Sequence, residues 1–215
     1  MNKFLNDIRS AENPISVNRK IINTIAMLCL GIALGTFSKF LDTMPMNKLP
    51  FIFAYLDIGN FLRRFAIWVL IAMCISIYSN SSIRASVNVF VFFVGMVVSY
   101  YLYSNYIAGF FPKSYAIIWF GFTAVSPFLA FVCWYAKGKS KPAFILSILI
   151  LAVLFNMTFV YGQWYLEARS VLELAVFIIG FIVLRRNTLR CSVLMGAFSI
   201  ALAFLLDTVI PFHFG

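Results

Sequence analysis

Residues 57–68 read DIGNFLRRFAIW, and the apolar run behind the two arginines continues to Tyr78. Arg63 and Arg64 therefore lie at the start of a hydrophobic segment. Moving a charged side chain into the hydrocarbon core of a membrane is unfavourable in free energy unless the charge is paired or hydrated. These residues therefore mark either the boundary of a membrane span or part of a polar site.

The composition predicts an integral membrane protein. Of the 215 residues, 63% are hydrophobic and 11% are charged, whereas soluble domains carry roughly 25% charged residues. Apolar runs long enough to be transmembrane helices predict an all-α membrane bundle of about seven helices, with six as the alternative. The runs are Ile21 to Leu41, Phe61 to Ser79, Ala85 to Ile107, Ser114 to Ala136, Pro142 to Tyr161, Ser170 to Leu184, and Cys191 to Ile210.

Two segments are predicted to lie outside the spans. Residues 1–20 form an amphipathic cytoplasmic segment, in which Phe4, Leu5 and Ile8 share one helical face. The second segment, Leu49 to Leu56, is too short to span and too apolar for open water, so it is interpreted as interfacial or re-entrant. Residues 21–215 are predicted to form a single transmembrane domain.

The distribution of basic residues predicts the orientation. With seven spans, eleven of the 17 Lys and Arg residues fall on one side and six on the other. The positive-inside rule makes the first side cytoplasmic and places the N-terminus inside. The plasma (inner) membrane is the expected location. The formal net charge of +10 is thus attributed to topology signals and contacts with the lipid bilayer, and no nucleic-acid partner is expected.

No catalytic or metal-binding motif was found. The four cysteines are scattered singly, and the one histidine, His213, is separated from Cys191 by most of a membrane span. Hydrolase, metalloprotease and P-loop signatures are lacking. We therefore expect no enzyme, no cofactor and no metal. A membrane enzyme that uses outer carboxylates, with Asp57, Arg63 and Glu173, stays a third alternative.

Polar and aromatic side chains collect toward the predicted outer half of the bundle. They could line a cup that holds a small molecule, although Tyr and Trp also gather at bilayer interfaces as anchors. We expect one of the two arginines to pair with Glu173 or Asp207, while Arg169 and Glu173, four residues apart, could pair instead. The candidate ligand-binding residues are Arg63, Arg64, Trp68, Tyr101, Trp119, Trp164, Glu173 and Asp207.

Other features indicate helix packing. Gly31 with Gly35, Gly95 with Ser99, Ser192 with Gly196, and Ser199 with Ala203 fit the pattern of two small residues separated by three, which permits close helix approach. Asn156 and Thr158 are expected to form hydrogen bonds between helices, with ligand contact as the alternative. Pro127 is expected to kink the fourth run and to free a carbonyl group.

The bundle size, the interfacial piece after the first run and the outward polar cup resemble the substrate-capture subunits of energy-coupling-factor transporters. That resemblance implies a vitamin-like ligand near the outer face and an ATPase partner; the chain also resembles uncharacterised bacterial membrane proteins. The function predicted is a ligand-binding or transport-associated membrane subunit that captures a small molecule from outside. The alternative is an accessory, assembly or immunity-type membrane protein with membrane partner subunits and no ligand.

Overall fold

The structure is a computed structural model that describes residues 3–11, 15–45, 48–162 and 164–209. It is all-α apart from one short hairpin. The elements in chain order are α1 (Lys3–Ile8), α2 (Val17–Thr43), α3 (Phe51–Tyr55), α4 (Ile58–Arg63), α5 (Phe65–Ile77), α6 (Ser82–Tyr106), α7 (Lys113–Tyr135), α8 (Lys141–Thr158), β1 (Phe159–Tyr161), β2 (Leu166–Ala168), α9 (Val171–Leu184) and α10 (Leu189–Val209).

Within these residues, five helices are long and apolar enough to cross a membrane: α2, α6, α7, α8 and α10. Two further apolar helices, α5 and α9, have 13 and 14 residues. At 1.5 Å per residue each is about 20 Å long, shorter than the roughly 30 Å hydrocarbon core. The all-α class is therefore confirmed, and five helices have the length and composition of membrane spans, whereas the count of seven spans and the side of the N-terminus stay predictions.

Two of the predicted runs have different boundaries in the structure. The second is wrong as one continuous helix, because the chain bends at Arg64 between α4 and α5. The fifth ends at Thr158, and Phe159–Tyr161 is a strand that pairs antiparallel with Leu166–Ala168. Since the strand residues are as apolar as the helix before them, hydropathy does not distinguish the end of α8 from the start of β1.

The chain forms two compact units. The first unit comprises residues 1–10, 60–74 and 135–215, and the second comprises residues 11–59 and 75–134. In the second unit the predicted interfacial segment contains the short helix α3, whose Phe51 and Tyr55 are 83% and 77% exposed. Apolar side chains this exposed fit a membrane interface better than open water.

In the second unit, α2 packs closely along α6. A Cβ atom at Gly31 would collide with the carbonyl oxygen of Phe92, and one at Gly35 would collide with that of Met96. From the opposite side, a Cβ atom at Gly95 would come within 2.7 Å of the Leu28 carbonyl oxygen. The small residues therefore set the distance between the two helix backbones, as their spacing predicted.

Pro127 lies inside α7, which continues through it. Proline cannot donate to the carbonyl group four residues earlier, so the carbonyl of Thr123 loses its helical partner. The Ser126 hydroxyl donates to that oxygen at 2.9 Å. The Ser86 hydroxyl of α6 donates to the Pro127 carbonyl at 2.8 Å. The freed carbonyl of Thr123 thus accepts a hydrogen bond from a neighbouring residue of its own helix.

In the first unit, α8 packs against α9 and α10. Ala152, Phe155 and Ala203 form a buried cluster between α8 and α10. Gly180 of α9 lies against Leu154 of α8, where an added Cβ atom would lie 2.7 Å from a leucine methyl carbon. This three-helix core holds the C-terminal end of α8 next to the N-terminal end of α9. The polar groups described next lie at those two ends.

Candidate functional site

The bend at Arg64 is stabilised by an indole group. Because α4 ends at Arg63, the Leu62 carbonyl lacks a regular helical partner, and the Trp68 Nε1–H group donates to it at 2.8 Å. Trp68 is only 2% exposed. Its ring belongs to the core and its N–H group stabilises the bend, so this side chain, predicted from the sequence as a candidate ligand-binding residue, is buried away from any ligand.

Arg64 pairs with Glu173. Its Nη1 atom lies 2.8 Å from both carboxylate oxygens. The Glu173 side chain is fully buried, whereas that of Arg64 is 29% exposed. This confirms that one of the two arginines pairs with Glu173 or Asp207. The alternative pair of Arg169 with Glu173 is not formed, because both oxygens of Glu173 accept from Arg64. The buried Nε atom of Arg169 has no hydrogen-bond partner among the described residues.

Glu173 is fixed by its own backbone as well as by Arg64. The Ser170 hydroxyl caps α9 by accepting from the Glu173 N–H group at 3.2 Å. The Thr158 hydroxyl donates to the Glu173 carbonyl oxygen at 3.3 Å, and the Arg169 N–H group donates to the Thr158 carbonyl oxygen at 3.0 Å. The end of α8, the hairpin and the first turn of α9 are thereby joined around one buried carboxylate.

A second polar cluster joins α8 to α10. Asn156 Nδ2 donates to the Ala203 carbonyl oxygen at 3.1 Å. The Tyr161 hydroxyl lies 3.0 Å from Asn156 Oδ1 and 3.1 Å from the same carbonyl oxygen, so its single proton can serve one acceptor at a time. These contacts, with that of Thr158, confirm the expected hydrogen bonding between helices.

Asp207 follows Ala203 by one helical turn and is half-buried. It makes no hydrogen bond or ion pair within the described residues. Burial raises the pKa of the Tyr161 phenol, and the negative charge of Asp207 raises that pKa further. Asp207 therefore acts on Tyr161 through space, and it is Glu173 that holds the arginine.

The remaining predicted residues are distributed between the two units. In the first unit Arg63 is exposed, with Nη1 3.3 Å from Asn60 Oδ1, and Trp164 is 94% exposed near the turn of the hairpin. In the second unit Tyr101 is 5% exposed and stacks on Phe120 at 5.8 Å between ring centroids, while Trp119 is partly buried. The ion pair brought together from the predicted set is thus Arg64 with Glu173.

One buried charge pair was not singled out from the sequence. In the second unit Lys39 Nζ lies 2.7 Å from Asp42 Oδ2, with side chains 8% and 15% exposed. The Tyr100 ring centroid lies 5.1 Å from the ammonium nitrogen. Residues three positions apart on a helix can pair, so the spacing of Lys39 and Asp42 near the end of α2 was a sequence signal for this ion pair. From the sequence, both charges were assigned only to the predicted outer face.

The described residues contain no group of three or more His, Cys, Asp and Glu side chains that could hold a metal ion. The four cysteines are free, and His213 lies outside the described residues. The site therefore offers ion pairing and hydrogen bonding through arginine, tyrosine and amide groups.

No family model, curated protein or solved structure matches the chain. The resemblance to the substrate-capture subunits of energy-coupling-factor transporters is not supported by these comparisons or by the fold. What the structure supports is a helical protein with several apolar helices, the architecture of a polytopic membrane protein.

Proposed function

We propose that the protein is a ligand-binding or transport-associated subunit of the plasma membrane. It would have seven spans, a cytoplasmic N-terminus and a site for a small anionic molecule at the outer face. The observation that supports this proposal is the pairing of a part-exposed arginine with a fully buried glutamate. Ionisable groups within membrane helices are costly, and they are concentrated at functional sites.

The pair leaves part of the arginine available. Nη1 of Arg64 serves both oxygens of Glu173, whereas Nη2 and Nε make no hydrogen bond within the described residues. A guanidinium group presents its donors in a rigid planar fork that matches carboxylate and phosphate oxygens. Glu173 would fix the orientation of this fork, and a ligand anion would accept the remaining N–H groups.

The same unit supplies additional positive charge and aromatic surface. Arg63 directly precedes Arg64 and is exposed, and Arg169 has a buried Nε atom without a partner in the described part of the chain. Trp164 and Tyr165, on the hairpin, are 94% and 55% exposed. A small anion with an aromatic or apolar part fits this combination better than a neutral sugar would.

One observation favours the second candidate function, an accessory or assembly protein. The hairpin exposes Leu166 at 54% together with the two aromatic residues, and exposed apolar groups of this kind can contact another protein. In that case the ion pair would be structural, and the hairpin would bind a membrane partner.

Native mass spectrometry of gently purified protein separates the two candidates, with Arg64→Lys as the test variant and Arg63→Lys as its control. Lysine keeps the charge that Glu173 needs but lacks the spare N–H groups of the fork. We expect the wild type and Arg63→Lys to retain a small-molecule mass that Arg64→Lys loses about tenfold, the cost of a charge-assisted hydrogen bond.

Equal retention by both variants would contradict the ligand role of Arg64. Wild-type protein that carries partner subunits but no small molecule would favour the accessory function. Melting temperatures of the three proteins serve as the folding control.

A further inference from the structure

The second charged region of the first unit lies at the other end of α8, in the connections that precede α8 and follow α9. Lys137 Nζ donates to the carbonyl oxygens of Val183 and Arg185, at the end of α9. Arg186 Nη2 donates in turn to the carbonyl oxygens of Ala136 and Ala143 at 3.0 and 2.7 Å. Each connection thus supplies a cation to carbonyl groups at the other connection. We call Lys137 and Arg186, together with the carbonyl groups that they bind, the reciprocal clamp.

The reciprocal clamp concentrates positive charge. Burial lowers the pKa of Lys137, and the charges of Arg186, Arg185 and Arg9 lower it further. Among the described residues, no carboxylate acts on the pKa of Lys137 or Arg186. The carbonyl groups accept hydrogen bonds but carry no net charge, so they do not neutralise the charges of Lys137 and Arg186.

Donors in the same region lack partners. Nε of Arg186 and Oγ of Ser140 are buried and make no hydrogen bond within the part of the chain that the structure describes. Ser140 is the N-cap residue of α8, yet its side chain makes no capping bond. The N–H groups of Lys141 and Ala143 are therefore uncapped by the Ser140 side chain, while Pro142 has no N–H group. The positive end of a helix dipole lies beside the cations.

Apolar side chains surround this region. Ile145 of α8, Ile182 of α9 and Leu189 and Val193 of α10 are 57%, 52%, 82% and 58% exposed. A cationic, donor-rich patch bordered by exposed hydrocarbon matches a molecule with a phosphate group and acyl chains, whereas a free phosphate ion would use only the patch.

We propose that the reciprocal clamp, with Ser140 and the N-terminus of α8, binds the phosphate of an anionic phospholipid headgroup. The Arg186 Nε–H group, the Ser140 hydroxyl and the backbone N–H groups of Lys141 and Ala143 donate to the phosphate oxygens. Arg185 and Lys137 supply the surrounding positive charge. The acyl chains lie along the exposed apolar residues of α8, α9 and α10.

Native mass spectrometry of the full chain in detergent, titrated with dioleoyl phosphatidylglycerol or dioleoyl phosphatidylcholine, tests this site. Arg185→Gln removes an exposed charge without removing a donor of the clamp. Ser140→Ala removes a hydroxyl group that has no partner. Lys113→Gln, in the second unit, is the control for loss of one positive charge. We expect tighter binding of phosphatidylglycerol than of phosphatidylcholine, about fivefold weaker binding in Arg185→Gln, and no change in Lys113→Gln.

Ser140→Ala distinguishes binding from folding. Because the hydroxyl group has no partner, its removal should leave the melting temperature in lipid-free detergent unchanged while weakening phosphatidylglycerol binding severalfold. Equal binding of the two lipids, or unchanged binding in both Arg185→Gln and Ser140→Ala, would overturn the proposal. Displacement of the lipid by millimolar inorganic phosphate alone would overturn the lipid assignment and leave a phosphate site.

Discussion

At the residue scale, the difference in burial within the Arg64–Glu173 pair predicts unequal effects of mutation. Arg64→Met leaves a fully buried carboxylate unpaired, which should destabilise the fold by about 3 kcal/mol or more. Glu173→Leu leaves an arginine that reaches solvent, so the loss should be smaller. The double variant should recover most of the stability, because no unpaired charge remains.

Thermal melting in detergent measures these differences, with Arg63→Met as the control. The exposed Arg63 should change stability by less than about 0.5 kcal/mol. Equal melting temperatures for Arg64→Met and Arg63→Met would show that the pair does not stabilise the fold.

Tyr161 gives a pH prediction at the same scale. The pKa of its phenol is raised in the folded protein from the ordinary value of 10.0 by burial and by Asp207. The unfolded chain therefore ionises first, so the stability that this group contributes is present below pH 10 and is lost as the pH rises toward the folded value. Tyr161→Phe should show a smaller fall in melting temperature between pH 8 and pH 10.5 than the wild type, and an equal fall would refute the assignment.

The sequence predicted part of this residue-scale description. The cost of a charge in hydrocarbon indicated that Arg63 or Arg64 must find a carboxylate. The partner depends on how α5 and α9 meet in three dimensions, so Glu173 and Asp207 could not be distinguished. The core positions of Trp68 and Tyr101 were missed for a related reason, since an aromatic ring near a helix end fits an interface, a site and a core equally well.

At the element scale, the close approach of α2 and α6 predicts opposite outcomes for two glycines. Gly31→Ala places a methyl group against a backbone carbonyl, and the overpacking should cost about 1–3 kcal/mol. Gly121 of α7 has no atom within 4 Å of an added Cβ atom, so Gly121→Ala should be neutral or gain up to about 1 kcal/mol in helix propensity. Thermal melting checks both variants, and equal effects would show that α2 and α6 are not packed this closely.

Element boundaries were less predictable than the elements themselves. The spacing of small residues predicted close helix packing at Gly31, Gly35 and Gly95, but it did not identify α6 as the partner of α2. The bend at Arg64 has no proline or glycine at that position, and β1 continues the apolar composition of α8. Both boundaries depend on hydrogen bonds outside the regular helical pattern, from the Trp68 side chain to the Leu62 carbonyl and from the Arg169 N–H group to the Thr158 carbonyl.

At the scale of the whole molecule, composition was sufficient to predict a helical membrane protein. The number of spans depends on α5 and α9, which are shorter than a bilayer core. The predicted outer site and the lipid site lie at opposite ends of α8, so both proposals require α8 to cross the membrane. The orientation sets which of the two sites faces the cell exterior.

The most direct test of this arrangement is labelling of single cysteines with a membrane-impermeant maleimide, in a cysteine-free background and in intact cells. The exposed positions are Tyr55, Tyr78, Phe110, Lys139, Trp164 and Asn187. Seven spans with a cytoplasmic N-terminus predict labelling of Tyr55→Cys, Phe110→Cys and Trp164→Cys in intact cells, and of the other three only after permeabilisation. Labelling of Lys139→Cys and Trp164→Cys from the same side would contradict the account, and so would the reverse pattern.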